Sequence, residues 1–237
     1  MTNSGFKTDQ LKFPRVREAY SEKESQMKAL LAANAVDIND FAIYLRAFKE
    51  EDELELWAKS ESQSEYKLIK TYRVCKKSGS TGPKRNQGDM QVPEGFYHID
   101  RFNPKSKFHL SLGINYPNKS DKILSDKDNP GGDIFIHGAC QTVGCLPITD
   151  DQIKELYVFC VEASKAKQTK IPVTLFPCRL SLSNFAKLKA EHVGDNEKIG
   201  LWTDLKVGYD AFNKSKKLPQ IGFLNNGRCV VDEVFLE

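Results

Sequence analysis

Between residues 41 and 74 the chain passes through three short segments, 41–48, 53–59 and 66–74, rich in aromatic and aliphatic side chains and separated by a few polar positions. Tyr66, Leu68, Tyr72 and Val74 recur largely at even spacing, the period of a strand with one covered face. Connections this short leave antiparallel hairpins as the arrangement, because a parallel pair needs a long crossover. Any fold for this chain must therefore accommodate a strand-rich middle. Further strands are expected at 95–101, 108–114, 133–137 and 171–176, with a terminal hairpin of 221–224 and 228–236 turned by Asn225-Asn226-Gly227.

Turn and helix signals organise the rest. Ser78-Gly79-Ser80-Thr81-Gly82-Pro83 is turn chemistry, and the polar residues 84–91 continue it as a surface loop. Residues 115–132 read as a structureless lid or rim loop, since connections of that length are usually functional or mobile. Thr149 and Gln152 fit a capping box, opening a helix whose buried stripe is Ile153, Leu156, Tyr157, Cys160 and Val161. Val16, Tyr20, Met27, Leu30 and Leu31 mark an amphipathic helix within 11–34, either packed across the main domain or facing a partner, and 182–192 and 197–216 are two more helices.

The chain has 237 residues, 40% of them hydrophobic, enough for one sizeable core. We read one α+β domain: an N-terminal helical extension (1–40), a mostly β core (41–178), and C-terminal helices and a hairpin packed on the core (179–237). The 35 basic and 32 acidic side chains leave a net charge of +3, too small to imply nucleic acid or an anionic membrane as the obligate partner. Nothing approaches the roughly 18 to 20 consecutive apolar residues of a transmembrane helix, and the mean hydropathy is −0.50. The start, Met1-Thr2-Asn3-Ser4-Gly5-Phe6-Lys7, carries no secretory leader.

The six cysteines, at 75, 140, 145, 160, 178 and 229, form no C-x-x-C pair, so few disulfides or none are expected and most should be packed thiols. The chemistry concentrates in 134–147. An apolar strand delivers His137 to its end, a glycine-bounded loop follows, and Cys145 stands eight residues later beside Gly144 and just before a helix. A neighbouring imidazole lowers a thiol's pKa or takes its proton, which makes a nucleophile. Gly144 would let a substrate carbonyl approach the backbone N–H groups around Cys145, a candidate oxyanion hole. The spacing alone is also that of a buried structural His–Cys pair. Cys140, five residues before Cys145, is expected either as a packed thiol or as an oxidative partner of Cys145. A zinc site from His137, Cys140 and Cys145 lacks a fourth ligand by spacing. No cofactor or metal is expected.

The segment around Thr142-Val143-Gly144-Cys145 resembles the catalytic motif of the L,D-transpeptidase (YkuD-like) family: a strand ending in His-Gly, a loop, then Ser/Thr-x-Gly-Cys. The resemblance is closest to the YafK-type murein branch, with its short His-to-Cys spacing and the Thr149-Asp150 that follows. It extends over Gly82-Pro83-Lys84, Gly88-Asp89, Pro93-Glu94-Gly95-Phe96-Tyr97, Phe108-His109-Leu110-Ser111 and Tyr116-Pro117-Asn118, about residues 41 to 178. Two positions depart from the pattern: Val143 stands where many members carry a second histidine, and Leu146-Pro147 where an arginine is common.

The resemblance implies a mostly β catalytic core with its cysteine loop on the open side. Cys145 would be the nucleophile and His137 the general base, oriented by the carbonyl of Gly138. The candidate substrate contacts are Tyr97, His109, Lys84, Asp89 and Thr142, each with packing or turn formation as the alternative. Lys76, Lys77, Lys84 and Arg85 are either receivers of a carboxylate-bearing peptide or a solvated charge run, and His98 and His192 are expected to face solvent. The substrate would be a peptidoglycan stem peptide, or a protein linked to the wall, acylating the enzyme as a thioester that passes to an amine or to water. That places the protein in the periplasm or envelope, with an apolar leader expected upstream of Asn3. The alternatives are a non-catalytic wall- or partner-binding domain that keeps the fold, and a cytosolic thiol hydrolase, which would usually place its cysteine before its histidine.

Overall fold

The computed structural model describes residues 4–232. Phe41–Phe48 (β1), Glu53–Ser60 (β2), Lys67–Arg73 (β3), Gly95–Asn103 (β4), Ser111–Ile114 (β5), Phe135–His137 (β6), Leu146–Pro147 (β7) and Ile171–Phe176 (β8) form one mixed sheet in the order β3-β2-β1-β8-β4-β5-β6-β7. The first three strands are the expected antiparallel hairpins, and β1·β8 and β6·β7 pair in parallel.

The two-residue period of β1 decides what covers the sheet. Phe41, Ile43, Leu45 and Ala47 join Val16, Met27, Leu156 and Cys160 in the main core, under Pro14–Ala33 (α2) and Asp150–Lys165 (α4), with Ser4–Gln10 (α1) against α4. The alternate residues Tyr44 and Phe48 meet Phe212 and Trp202 of Asn196–Ser215 (α6), which packs with Leu182–Glu191 (α5). Arg46 lies on that side too, its guanidinium over the rings of Tyr209 and Phe212. Both faces are thus buried, and all of β1 from Ile43 to Phe48 is inaccessible.

Sheet edges expose unpaired backbone groups, and here the two edges are brought together. Cys75, just past β3 at one edge, donates its N–H to the Pro147 carbonyl of β7 at the other, at 3.0 Å. Its thiol is joined to Cys140 in the loop after β6, Cα to Cα 5.6 Å across a separation of 65 residues. This corrects the reading of Cys140. It is neither a free packed thiol nor a partner for Cys145, because its sulfur is already bonded to a residue distant in sequence and adjacent across the seam. Cys160, Cys178 and Cys229 are free and buried.

Residues 115–132 are not structureless: they contain Lys119–Leu124 (α3), opened by a reciprocal capping box between Asn118 and Asp121. At Thr149 only half of the expected box forms. Thr149 accepts the Gln152 N–H at 3.3 Å, while the Gln152 side-chain oxygen has no partner. Strand β5 starts at Ser111 rather than 108, because His109 adopts a left-handed φ of +67° that interrupts an extended run. Gln220–Phe223 (β9) and Cys229–Asp232 (β10) form the C-terminal hairpin, and residues 233–236 of the expected second strand lie outside the described residues. Neither expected solvent-facing histidine is fully exposed: His98 is half-buried, and His192 lies against the Trp202 ring, centroids 4.8 Å apart.

A second tie holds α6 to the sheet. Glu94, 1% exposed, accepts from Lys49 Nζ (2.9 Å) and Gly82 N (2.7 Å) with one oxygen and from Trp202 Nε1 (2.7 Å) with the other. One carboxylate therefore joins the end of β1, the 78–83 turn and the C-terminal helices.

Replacing Glu94 by Gln leaves the Lys49 ammonium without its counter-charge, and urea unfolding should show a loss of about 3 kcal/mol or more. Replacing both Cys75 and Cys140 by Ala releases a long closed loop, for which chain entropy gives about 4 kcal/mol. The same loss should appear in the native protein on adding reductant, and an unfolding midpoint insensitive to reductant would show the seam is held without the disulfide.

Candidate active site

The path of the chain from β6 to β7 creates the site. β6 ends on His137; the chain then turns through 138–145 and returns beside it in parallel, with Ile136 opposite Leu146 and His137 opposite Pro147. Cys145 therefore arrives at the level of Phe135. Side chains of directly opposed residues share a face, and so do residues two apart, which turns Cys145 and His137 to the same side. Both line one cleft of about 280 Å³ with Phe108, Ser111 and Phe135.

Glycine is required where the turn begins and where it ends. A Cβ on Gly138 would lie 2.5 Å from Asp150 Oδ1 and 2.9 Å from the Phe108 carbonyl. Gly144 has φ +88°, disfavoured for residues with a side chain, and a Cβ there would lie 3.2 Å from the Gln91 carbonyl. Between them the loop is fastened at several points: Ala139 N donates to Asp150 Oδ1 (2.7 Å), Cys140 is bonded to Cys75, and Gly144 N donates to Ser78 Oγ (2.8 Å). Thr142 closes the last turn, its Oγ1 donating to the Cys145 carbonyl (2.8 Å) and accepting from Cys145 N (2.9 Å).

The histidine's tautomer follows from its partner. Nδ1 lies 2.6 Å from the Gly138 carbonyl oxygen, which can only accept, so Nδ1 carries the proton and the Nε2 lone pair is free. The ring is 1% exposed and stacks on Phe108, centroids 4.6 Å apart. Burial draws its pKa below the usual histidine value, partly offset by the Gly138 hydrogen bond. Burial pushes the Cys145 thiol upward against the Phe135 N–H, which points at the sulfur from 3.4 Å; Asp133 adds to the rise and the charge of Lys84 opposes it. At neutral pH the resting pair is therefore a neutral thiol and a neutral imidazole. The thiol faces the Asp133 carbonyl, Sγ to O 3.6 Å.

Cys145 also lines a second cleft of about 270 Å³, together with the apolar Phe48, Val74, Val92 and Leu146 and with residues 76–81. The nucleophile candidate thus stands between two clefts, with the imidazole in only one of them.

The other candidates distribute unevenly. Tyr97 is buried with its hydroxyl donating to Asp121 Oδ2 (2.9 Å), outside both clefts. His109 belongs to the loop that carries Phe108 onto His137; its carbonyl accepts from Arg15 (2.7 Å), and its Nε2 is buried without a partner. Lys84 and Asp89 are bonded to each other at 2.6 Å. Asp89 also takes the N–H groups of Arg85, Asn86 and Gln91 and shapes the turn between them. Lys84 is 5% exposed, so the solvated reading fails for it: its counter-charge lies five residues along the chain. Arg85 pairs with Asp121 and Glu197.

The expected oxyanion donors are already engaged, Cys145 N by Thr142 and Gly144 N by Ser78. Ser78, whose hydroxyl donates in turn to the Met90 carbonyl at 2.7 Å, is the site residue that sequence reasoning passed over. It lies in what reads as plain turn chemistry, 66 residues from its partner. Among the described residues no three His, Cys, Asp or Glu side chains gather to hold a metal, and the bond to Cys75 takes Cys140 out of the His137–Cys140–Cys145 set.

Comparison with known proteins places the chain in a family. The L,D-transpeptidase catalytic domain family (YkuD) matches residues 49–174. The Escherichia coli K12 protein named "Putative L,D-transpeptidase YafK" is 35% identical over 193 residues, covering 81% of this chain and 74% of its own. Among solved structures, the helical cell shape determining protein Pgp2 of Campylobacter jejuni aligns with a TM-score of 0.46 at 16% identity, over 78% of this chain and 74% of that one. Bd1075 of Bdellovibrio bacteriovorus aligns at 0.42 and 21%, over 78% of each chain. The matched region spans both His137 and Cys145, and the chain belongs to the L,D-transpeptidase catalytic domain family.

Proposed function

We propose that this protein is a peptidoglycan-acting cysteine enzyme that forms a thioester with a stem peptide and passes the acyl group to an amine or to water. The observation that carries this is the free Nε2 of His137, fixed by the Gly138 carbonyl, on the cleft that also holds Cys145. The non-catalytic alternative gives no reason for a buried imidazole to be held in that one tautomer.

In acylation, Nε2 takes the Cys145 proton as sulfur bonds to the amide carbonyl carbon. The imidazolium is stabilised by the Gly138 carbonyl and the developing thiolate by the Phe135 N–H. The C–N bond then breaks and the leaving amine takes the proton from Nε2, leaving a neutral imidazole and a thioester. Deacylation repeats the steps with the incoming amine or water as proton donor to Nε2. An amine forms a cross-link or attaches a protein; water trims a stem or releases a linked protein. The carbonyl oxygen reaches Gly144 N by displacing the Ser78 hydroxyl from it. The Cys75–Cys140 disulfide supports an oxidising location, periplasm or envelope, where such bonds persist.

Purified sacculi incubated with the protein, digested and analysed by mass, should show a changed set of stem peptides that identifies donor and acceptor together. Cys145→Ala should abolish that change while keeping the unfolding transition; unchanged sacculi with the native protein would defeat the reading. The pH profile tests the neutral pair. Protonated His137 cannot accept the thiol proton, so activity should fall on acidification only below the ordinary histidine value of 6.5, because burial lowers the pKa. His137→Ala should lose about 100-fold or more at neutral pH. It should recover part of that as pH rises past 9.0, the ordinary thiol value that burial raises further in Cys145. A flat response to alkali would remove the base role from His137.

A further inference from the structure

Cys145 stands at the end of a row of residues that crosses the sheet. Arg101 of β4 is opposite Gly113 of β5, and Gly113 is opposite Phe135 of β6, at whose level Cys145 arrives. Directly opposed residues share a face. Gly113 leaves its place in the row empty, and Arg101 lies across it: a Cβ on Gly113 would stand 2.8 Å from Arg101 Nε and 3.0 Å from the Phe135 ring. The guanidinium therefore reaches β6. It lies over the Phe135 ring, 4.9 Å from the centroid, and its Nη1 donates to Asp133 Oδ1 at 2.8 Å, while Nε donates to Asp100 Oδ1 at 3.1 Å.

One side chain thus holds both ends of the tripeptide 133–135, and both ends meet the sulfur. The Asp133 carbonyl faces Sγ at 3.6 Å, and the Phe135 N–H points at it from 3.4 Å. Asp133 also has a left-handed φ of +54°, uncommon for a residue with a side chain. Charge adds to the argument. After burial, the Asp133 carboxylate raises the thiol further; Lys84 opposes it but is bonded to Asp89. Around the clefts, Lys107 lines the His137 side; on the other, Lys49 is bonded to Glu94, Lys77 to Asp52, and Lys76 and Glu50 differ in sign. Among the described residues the ion-pair partner of Asp133 is Arg101. Arg101 itself lines neither cleft, so its route to the thiol runs through 133–135.

We propose that Arg101 is a positioning residue for Cys145: by pairing with Asp133 and covering Phe135 it holds the 133–135 backbone against the sulfur and neutralises the one carboxylate that would oppose a thiolate there. As the thiol gives up its proton, the Asp133 carbonyl loses its hydrogen-bond donor and the Phe135 N–H gains a charged acceptor. Both changes need the tripeptide to stay in place, and an unpaired carboxylate beside it would work against the second. The role rests on the acyl transfer proposed at Cys145.

The test reads the thiol without any substrate. Iodoacetamide alkylation of Cys145, located by peptide mass, is followed against pH in the native protein, Arg101→Gln, Asp133→Asn and the double variant. Arg101→Gln should move the alkylation midpoint to higher pH, Asp133→Asn should move it lower, and the double variant should return it toward the native value. On sacculi at neutral pH, Arg101→Gln should act about two- to fivefold more slowly, the scale of one exposed ion pair, and adding Asp133→Asn should offset part of that loss. Both side chains are exposed, so the thermal transition should not change. An alkylation midpoint unmoved by Arg101→Gln, or a double variant no nearer the native midpoint than Arg101→Gln alone, would overturn the role and leave Arg101 as surface packing. Sacculi left unchanged by the native protein would defeat the acyl-transfer reading instead, a result separate from the midpoints.

Discussion

The seam between the two edges of the sheet is the constraint on which the site depends. An eight-stranded sheet with β3 at one edge and the two-residue β7 at the other could remain open, with Cys145 on a fraying margin. One backbone hydrogen bond from Cys75 to Pro147 and one disulfide from Cys75 to Cys140 prevent that. The first fixes the strand that follows Cys145, the second fixes the loop that precedes it. A hydrogen bond alone contributes about 1 kcal/mol and is lost to water at an exposed edge. The covalent link is what makes the closure persist, and it holds only where thiols stay oxidised.

Once the loop is fixed, burial governs its chemistry. Desolvation raises the thiol and lowers the imidazole, and both shifts favour the uncharged forms. A thiolate–imidazolium pair would need a compensating field, and the two charges that act on the thiol oppose each other: Lys84 favours the thiolate and Asp133 disfavours it. Burial therefore keeps the proton on sulfur, and the acyl transfer proposed above relies on position. The Gly138 carbonyl aims Nε2, the Phe108 ring limits tilting of the imidazole, and the Phe135 N–H holds the sulfur.

Most of this was legible where the signal is local. Strands β1 and β8 coincide with the expected segments, α4 begins at the Thr149 cap, and His137, Gly138, Gly144 and Cys145 were singled out from one contiguous run. What escaped depends on contacts across the fold. The Cys75 partner of Cys140 is 65 residues away, so local spacing offers Cys140 only a packed thiol or the nearby Cys145. Helix α3 has six residues, too few for an apolar period, and its only local signature is the Asn118–Asp121 box. Lys84 looked solvated because a basic run reads as surface; its burial follows from Asp89 turning back on it. Ser78 had no signature at all, since a serine in a glycine-rich turn needs no further explanation.

The long-range contacts that escaped are also what join the C-terminal helices to the site. Ser78, which holds Gly144 N, begins the 78–83 turn, and near its end stands Gly82, whose N–H is held by Glu94. Glu94 in turn holds Trp202 of α6. The α6 helix therefore reaches the loop of Cys145 through one buried carboxylate and one turn, without touching either cleft. In the acyl transfer proposed above, loosening α6 would free the 78–83 turn and release the Ser78 hydroxyl from Gly144, opening that N–H to an oxyanion while removing the fastening that holds it in place. These effects oppose each other. A tie strong enough to hold the loop and a contact exchangeable enough to admit a carbonyl must coexist, and the structure separates them: the Glu94 carboxylate is buried and charge-paired, and the Ser78 to Gly144 contact is a single neutral hydrogen bond at the cleft rim.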